Sequence, residues 1–471
     1  MNRREFGRAI GAGTIASPFV QAAGPARIAA RGPSEPVGHV KAVFTYPPSS
    51  RLRAEGYYSW PGSGFDAEGR QKEYSARLAQ MAREMNLRLE IEPKPLDDKA
   101  DVERFIAAAK AERPDGLLLI PFKKSHAENL LPIIDGTGLP AVIFAPMGVL
   151  LNPTVRSFGT HPRTVLVNST ADLTEAQQGL RLIQTRRRMA DSTIIDITGQ
   201  NRSETRVPHL GTRVQRVPLE DFYQLYAKTG RTPEVEQRAA RYTREAVRIV
   251  EPNEKDVFES AKCYSVLKAI FEREKADAVM MTCLPGLRVP HKHVPPCMGF
   301  MDMRDEGIPT GCESDLDATL TMMLLQYLFD RPGFQHNPSS DTERKLYFGA
   351  HCTAPSKMQG AGGPREPYAL RNHAEAGWGC VPQVLFPVGQ KVTFGKYHSQ
   401  SKPPNMVIYS GTVVGCPSNP PAGGCRSNME LKLDEGVDPV EVKSHHLCMC
   451  YGEYTAQLRA FCRMHDIAAT A

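Results

Sequence analysis

The feature that most constrains the fold is a regular alternation of apolar runs with amphipathic stretches, which begins at His39. Apolar runs fall at residues 39–46, 87–91, 116–120 and 140–145, and helical periodicity fills residues 73–85, 101–112 and 127–134 between them. Short apolar runs separated by helices are typical of a parallel sheet that is covered on both faces. The first part of the chain therefore predicts an α/β unit.

A second round of this pattern begins near Thr164. We expect strands at 165–168, 193–197, 213–217, 277–282 and 309–312, and helices at 173–187, 219–226, 234–274 (broken at Pro252) and 316–329. After Pro332 the chain changes to strands separated by Gly, Pro and Ser turns, at 346–350, 383–386, 391–397, 405–414 and 429–433, with a last helix at 454–464. The predicted class is α/β, with two Rossmann-like parallel α/β domains (38–155 and 156–332) followed by a β-rich C-terminal domain (333–471).

The first residues have the form of an export signal. The pair Arg3-Arg4 precedes a weakly apolar stretch over residues 9–20, and small residues suited to a signal peptidase follow at 20–23. We expect residues 1–32 to be a twin-arginine signal peptide and linker, and the mature protein to be periplasmic or secreted. No run of 18 apolar residues occurs elsewhere in the sequence, so stable membrane insertion is not expected.

The net charge bears on nucleic acid as a partner, and the positions of the cysteines bear on disulfide formation. A formal net charge of +6 on 471 residues, with no basic tract that alternates with aromatic residues, argues against nucleic acid as a partner. All eleven cysteines lie from Cys263 onward and form no CxxC pair, so most are expected to be small buried residues. Cys416 and Cys425 flank a turn-rich loop and are candidates for a disulfide in an oxidising compartment.

The candidate site is a carboxylate with histidines at long range. Glu313 is followed in the sequence by His336, His351 and the pair His445-His446, each near the end of an apolar segment. One carboxylate and three imidazoles that converge in a fold can hold a divalent metal, which binds adjacent sugar oxygens and stabilises an enediolate. The alternative is a set of unrelated loop histidines beside a helix-capping acid.

The position of Glu313 in the predicted fold supports a role in ligand binding. Apolar residues at helical spacing after it predict a buried helix that Ser314 or Asp315 caps, and for Asp315 and Asp317 we prefer this capping role. Glu313 then stands at the carboxyl end of a parallel strand, where open α/β sheets place their ligands.

Four segments resemble the superfamily of L-fucose isomerase and L-arabinose isomerase, which are metal-dependent ketol isomerases. They are residues 211–222 (GTRVQRVPLEDF), 307–315 (GIPTGCESD), 349–352 (GAHC), and 444–452 (SHHLCMCYG) together with 464–467 (MHDI). The resemblance covers about residues 193–467 and implies that Glu313, His351 and His446 bind a metal, Mn²⁺ in the family. It also implies a trimer or hexamer with sites between subunits.

One departure concerns the second acidic ligand of the family, which should follow the Phe of residues 334–337 (FQHN). Here His336 or Asn337 stands in its place, and the loss removes a ligand for a hard cation and a candidate base. His336 can still ligate, which shifts the preference toward Zn²⁺ or Fe²⁺, and Asp341 lies close enough in sequence to reach in. We expect Glu313, His336 and Asp341 to be catalytic and Glu313, His336, His351 and His446 to bind the metal.

Three functions follow from these observations. The first is a metal-dependent isomerase that acts on a pentose or deoxyhexose by enediol proton transfer, with Glu313 as ligand and base. The second is an exported lyase or epimerase that acts on a sugar or sugar acid. The third is a non-catalytic carbohydrate-binding protein. In each case the partner is a small carbohydrate, and fold alone cannot separate isomerase from lyase.

Overall fold

The structure is a computed structural model, and it describes residues 36–54, 62, 64–170, 173–288, 290–417, 424–434 and 436–470. The predicted signal peptide and linker at 1–32 therefore lie outside the described residues. Within those residues, no helix combines the length and the apolar character that crossing a bilayer requires.

The N-terminal part of the chain forms a parallel sheet of five strands among the described residues, in the order β2-β1-β3-β4-β5. The strands are β1 (His39–Thr45), β2 (Arg88–Ile91), β3 (Gly116–Pro121), β4 (Ala141–Pro146) and β5 (Thr164–Ser169). The helices are α1 (Ser49–Ala54), α2 (Ala67–Glu84), α3 (Lys99–Glu112), α4 (Leu130–Thr137) and α5 (Asn152–Thr160). All six residues of β3 are buried, which is the result expected of a strand with helices on both faces.

Strand β5 belongs to this first sheet. We expected the strand at 165–168 to begin the second α/β unit, whereas β5 pairs in parallel with β4 over six residues and extends the first sheet. Its apolar residues are Val165, Leu166 and Val167, which are half-buried. This apolar run made the strand predictable, but it did not indicate which strand β5 would pair with. The domain boundaries themselves remain predictions.

The middle of the chain forms a second sheet in the order β11-β10-β6-β8-β7, parallel except for the edge strand β7. Its strands are β6 (Thr193–Ile197), β7 (Ser203–Arg206), β8 (Arg213–Val217), β10 (Ala278–Met281) and β11 (Thr310–Cys312), and the short strand β9 (Arg248–Ile249) lies elsewhere. The helices are α6 (Thr174–Asp191), α7 (Leu219–Lys228), α8 (Pro233–Glu245), α9 (Glu254–Arg273), α10 (Leu284–Leu287), α11 (Cys297–Asp305) and α12 (Leu316–Phe329). The predicted break at Pro252 is present between α8 and α9.

The C-terminal part is rich in antiparallel strands, as the turn-rich sequence predicts. Its elements are β12 (Phe334–Asp341), β13 (Leu346–His351), β14 (Tyr368–Arg371), β15 (Val381–Val384), β16 (Lys391–His398), β17 (Asn405–Gly415), β18 (Ser427–Leu433), β19 (Leu447–Tyr451), α13 (Thr455–Met464) and β20 (Ala468–Thr470). Strand β16 pairs with both β19 and β17, which closes a barrel through β12, β13 and β18. Strand β9 joins β14 and β15 in a small separate sheet.

One apolar cluster connects the first sheet, the second sheet and the barrel. It includes Phe44 of β1, Leu180 of α6, Met280 of β10, Leu324 of α12 and Met406 of β17, all at most 2% exposed. Helix α12 is central to this cluster because nearly all of its residues are buried. The structure is thus a mixed α/β arrangement in which the carboxyl end of the second sheet adjoins an antiparallel β region.

Candidate active site

Glu313 directly follows β11, at the carboxyl end of a strand that pairs in parallel with β10. Its φ is 58° and that of Ser314 is 51°, so two successive residues other than glycine occupy the left-handed region. Backbone strain of this kind costs about 1–3 kcal/mol per residue and persists where surrounding contacts fix it. The strain turns the chain sharply between β11 and α12, at the sheet edge where α/β proteins place ligands.

The Gln335 amide is one of the contacts that fix this turn. Its Oε1 accepts the Cys312 N–H at 2.9 Å, and its Nε2 donates to the Cys312 carbonyl at 3.2 Å. Gln335 is fully buried and belongs to β12, so the barrel holds the end of the second sheet by a paired side-chain amide. The position of Glu313 is therefore set by two parts of the fold at once.

Hydroxyl groups at the ends of neighbouring strands hold Ser314. Ser314 Oγ donates to Asp196 Oδ1 at 2.6 Å and accepts from Thr282 Oγ1 at 2.7 Å. Thr282 in turn lies 2.8 Å from the hydroxyl of Thr198. Burial raises the pKa of Asp196, and the Ser314 hydroxyl opposes that effect. These polar groups lie at the carboxyl ends of β6, β10 and β11, and their hydrogen bonds stabilise the left-handed turn.

His446 lies just before β19 and is held between two carboxylates. Its Nδ1 lies 2.9 Å from Asp315 Oδ2, and an ionised carboxylate can only accept, so Nδ1 carries a proton. The Nε2 atom lies 3.7 Å from Glu313 Oε2. His446 also has a positive φ, 52°. Histidines that bind metals are commonly oriented by a carboxylate that accepts the proton of the other ring nitrogen.

Asp315 has two roles. It caps α12, as predicted, because its Oδ1 accepts the Ala318 N–H at 2.8 Å. It also accepts from Lys396 Nζ at 2.7 Å and from His446. Burial alone would raise the pKa of Asp315, but the bonds from His446 and Lys396 outweigh it and hold the pKa well below its usual range. The capping prediction therefore missed a second role in the site.

His351, the last residue of β13, brings a hydrogen-bond donor to the same carboxylate. Its Nδ1 accepts the Cys352 N–H at 2.9 Å, so the proton of a neutral ring lies on Nε2. Burial lowers the pKa of His351, which keeps the ring neutral near pH 7. The Nε2 atom lies 3.6 Å from Glu313 Oε1, and it is buried without a hydrogen-bond partner among the described residues.

Glu313 is therefore an ionised acceptor between two imidazoles. The nearby His351 ring lowers the pKa of Glu313 most, burial opposes it, and His446 lowers it further. An ionised carboxylate beside a buried N–H donor is a pair that can take a proton from one substrate atom and hydrogen-bond another.

His336 does not join this group. Its Nδ1 lies 3.0 Å from the Phe334 carbonyl and its Nε2 lies 2.7 Å from the Tyr347 hydroxyl, so both ring nitrogens are engaged inside the barrel. The reason is strand alternation: Gln335 and Asn337 face the second sheet, and His336 faces the opposite side. The expected four-ligand set thus loses His336.

Asp341 also lies away from the site. Its Oδ1 accepts the N–H groups of Glu343 and Arg344, at 3.1 and 2.8 Å, and this caps the turn between β12 and β13. Proximity in sequence suggested that Asp341 could reach in, but it stands at the far end of β12 from Gln335. The structure gives it a turn-forming role.

A pocket beside Glu313 has a lining that the sequence patterns did not indicate. It encloses about 30 Å³, where a single water needs about 10–15 Å³. Its walls include Asn337, His373, Glu375 and five cysteines, Cys283, Cys297, Cys312, Cys352 and Cys425. Cys416 and Cys425 are free thiols, so the candidate disulfide is not formed. No local spacing connects these cysteines, and only the tertiary fold brings them together.

A metal ion fits part of this arrangement. Glu313 Oε2 and His446 Nε2 lie 3.7 Å apart, a separation at which both can bind one ion once Nε2 is free of a proton. Cys312 Sγ, a Glu313 oxygen and a His351 nitrogen also lie within 4.8 Å of one another. His351 fits less well, because the proton on Nε2 would have to leave before that atom could bind a metal.

Comparisons with known proteins identify no family for this chain. No protein-family model matches it, and no curated protein matches it.

Proposed function

We propose that the chain is a metal-dependent enzyme of the sugar isomerase type, which moves a proton between adjacent carbons of a small carbohydrate. The observation that carries this proposal is the position of Glu313 between His351 and His446, at 3.6 and 3.7 Å. These residues come from three separate segments and meet at a sheet edge suited to ligands. They are also three of the four metal ligands that the resemblance implies.

The chemistry follows from the protonation states. The Glu313 carboxylate accepts the proton of a substrate carbon, since its lowered pKa keeps it ionised at neutral pH. The Nε2–H of His351 donates a hydrogen bond to the substrate oxygen on which negative charge develops. A divalent cation held by Glu313 and His446 would supply further stabilisation of that charge.

The surroundings suit a carbohydrate that binds at the mouth of the pocket. A cavity of about 30 Å³ has room for an ion and one or two oxygens, whereas complete small-molecule sites span about 300–1,000 Å³. The remainder of the sugar would lie outside, where another subunit of a trimer or hexamer can complete the site. We further propose that both α/β units are Rossmann-like and that the protein is exported.

A lyase or epimerase of a sugar or sugar acid is the second candidate. Asn337 lines the pocket at the place where the isomerases carry their second acid. The carboxylate that faces both histidines is that of Glu313. Glu375 also lines the pocket, but it is exposed at the rim. One base is sufficient to remove the proton in a lyase reaction, whereas inversion by an epimerase also needs a proton donor on the opposite face. The loss of the second acid, which in the isomerases helps to hold the metal and move the proton, therefore favours the lyase of these two.

The test is Glu313→Gln compared with Glu343→Gln, a matched change in an exposed turn outside the pocket. Purified protein loaded with Mn²⁺ or Zn²⁺ is incubated in D₂O with aldoses, ketoses and sugar acids, and the C2 proton is followed by NMR. We expect exchange or conversion with the wild type and Glu343→Gln, and a loss of more than about 100-fold with Glu313→Gln.

The products separate the candidates. An aldose–ketose pair indicates isomerase, an inverted sugar indicates epimerase, and an unsaturated or dehydrated product indicates lyase. Binding of a sugar without exchange at any carbon would refute both enzyme proposals and leave carbohydrate binding.

A further inference from the structure

Five thiols face the pocket beside Glu313, and they come from five separate segments. Cys283 follows β10, Cys297 starts α11, Cys312 ends β11, Cys352 follows β13 and Cys425 precedes β18. Buried thiols are often no more than small apolar side chains, as Cys462 is beside Met406. What distinguishes these five is that they share one small cavity with a carboxylate and a histidine.

The sulfur spacing suits a metal ion. Cys283 Sγ and Cys312 Sγ lie 4.0 Å apart in a buried contact. A tetrahedral ion with bonds to sulfur of about 2.3 Å separates its sulfur ligands by about 3.8 Å. Cys312 Sγ, a Glu313 oxygen and a His351 nitrogen lie within 4.8 Å of one another, and Cys283 adjoins this group through its contact with Cys312.

The buried guanidinium of Arg304 would stabilise thiolates in this pocket. Arg304 is 2% exposed, and its guanidinium donates to the carbonyl oxygens of Thr310 and Thr353. Among the described residues it forms no ion pair with a carboxylate, and an uncompensated buried charge is costly. Two thiolates and the Glu313 carboxylate carry three negative charges, which a divalent ion and Arg304 would balance.

Two residues that line the cavity, Cys312 and His351, are held in fixed positions by the surrounding fold. Gln335 fixes the backbone of Cys312 through both its N–H and its carbonyl, so the sulfur starts from a defined position. The Nε2–H of His351 is buried without a hydrogen-bond partner in the described part of the chain, lies 3.6 Å from Glu313 Oε1, and can donate to a thiolate. Preorganised donors and ligands of this kind raise metal affinity.

We infer that the pocket binds a thiophilic divalent cation of the Zn²⁺ class, through the sulfur atoms of Cys283 and Cys312 beside the Glu313 carboxylate. Each thiol gives its proton to solvent when the ion binds. The inference rests on the proposed function in taking Glu313 as a ligand, and it deepens that function by naming soft sulfur ligands in place of the hard oxygen ligands that Mn²⁺ prefers.

The experiment uses the full-length protein with Co²⁺ as the optical probe and Zn²⁺ as the competitor. Cys283→Ala and Cys312→Ala are compared with Cys462→Ala, which removes a buried thiol outside the pocket. We expect a sulfur-to-cobalt charge-transfer band in the wild type and in Cys462→Ala. Each pocket variant keeps one thiolate, so its band at saturating Co²⁺ should be clearly weaker than that of the wild type, and it should bind Zn²⁺ at least about 100-fold more weakly. Circular dichroism and the unfolding midpoint establish that each variant is folded.

The outcomes distinguish this inference from the proposed function. Metal binding without the charge-transfer band, unchanged in both pocket variants, would overturn the thiol site while leaving a metal at Glu313 and His446 intact. A band that persists in a protein without proton exchange on any sugar would retain the thiol site and refute the enzyme proposal. If a pocket variant does not fold, the absence of the band in wild-type protein loaded with Co²⁺ is sufficient to overturn the inference.

Discussion

Replacing Asp315 by Asn tests whether one carboxylate both caps α12 and orients His446. Asn caps helices about as well as Asp, so the bond from the Ala318 N–H is retained. What changes is the charge next to Lys396 and His446. The variant therefore separates the capping role, which the sequence predicted, from the role in the site.

The magnitude follows from burial. The side chains of Asp315 and Lys396 are 14% and 6% exposed, and breaking a buried ion pair costs about 3–5 kcal/mol. Because Lys396 keeps the His445 carbonyl at 3.0 Å and the Asn oxygen can still accept one bond, we expect the low end, about 3 kcal/mol at pH 7. Asp317→Asn is the control. Its ring partner is His398 at 3.9 Å, whose pKa is lowered by burial so that the ring is neutral at pH 7, and the loss should stay below about 1 kcal/mol.

The pH dependence has a definite sign. The pKa of Asp315 is depressed in the folded protein, so its contribution to stability is present above the unfolded pKa of about 3.9 and is lost as the pH falls through the folded pKa. The gap in unfolding free energy between wild type and Asp315→Asn should therefore narrow below about pH 4. The assay is urea unfolding from pH 3 to pH 7. A constant gap, or equal losses in Asp315→Asn and Asp317→Asn, would refute the reasoning.

Four further predictions concern other parts of the chain. His336→Asp should destabilise the protein by several kcal/mol in urea unfolding without raising Mn²⁺ affinity in a metal titration, because it places a carboxylate inside the barrel; a tighter Mn²⁺ site would contradict the observed orientation. Gln335→Leu should cost about 1–3 kcal/mol in the same assay, since the Cys312 N–H loses its partner while the Cys312 carbonyl keeps the Asp315 N–H; a neutral effect would show that Gln335 does not hold Glu313. Light scattering should detect a trimer or hexamer, and a monomer at micromolar concentration would weaken the isomerase proposal. Replacing Arg3 and Arg4 by Lys should keep the protein in the cytoplasm by cell fractionation, and unchanged export would exclude the twin-arginine route.

The fold was predictable where apolar periodicity was strong. The run at 39–46 became β1, and the helix predicted at 316–329 became α12, because both patterns reflect burial in the final structure. Strand β12 was missed because Gln335, His336, Asn337 and Pro338 carry little apolar signal. Its existence depends on pairing with β13, the next strand of a hairpin, and with β19, which lies far away in sequence.

The site was predictable only in part for the same reason. Glu313 could be placed at a strand end from its own neighbourhood, and the structure does bring it to His351 and His446. The orientation of His336 depended on the alternation of a strand that the sequence did not indicate. The five cysteines of the pocket converge from separate segments, so no local spacing could have revealed them.

The contact between β5 and α13 has a consequence for the order of folding. Arg163 donates to Asp466 at 2.9 Å across 303 positions of sequence, and Arg463 donates to the Thr164 carbonyl. Leu458 and Phe461 of α13 belong to the same apolar cluster as the first sheet. That sheet therefore keeps an uncovered apolar edge during synthesis until α13 has left the ribosome, and contacts this distant form slowly. A chain truncated before residue 455 would expose the edge and be prone to aggregation, so the first sheet is fully packed only in a polypeptide that includes α13.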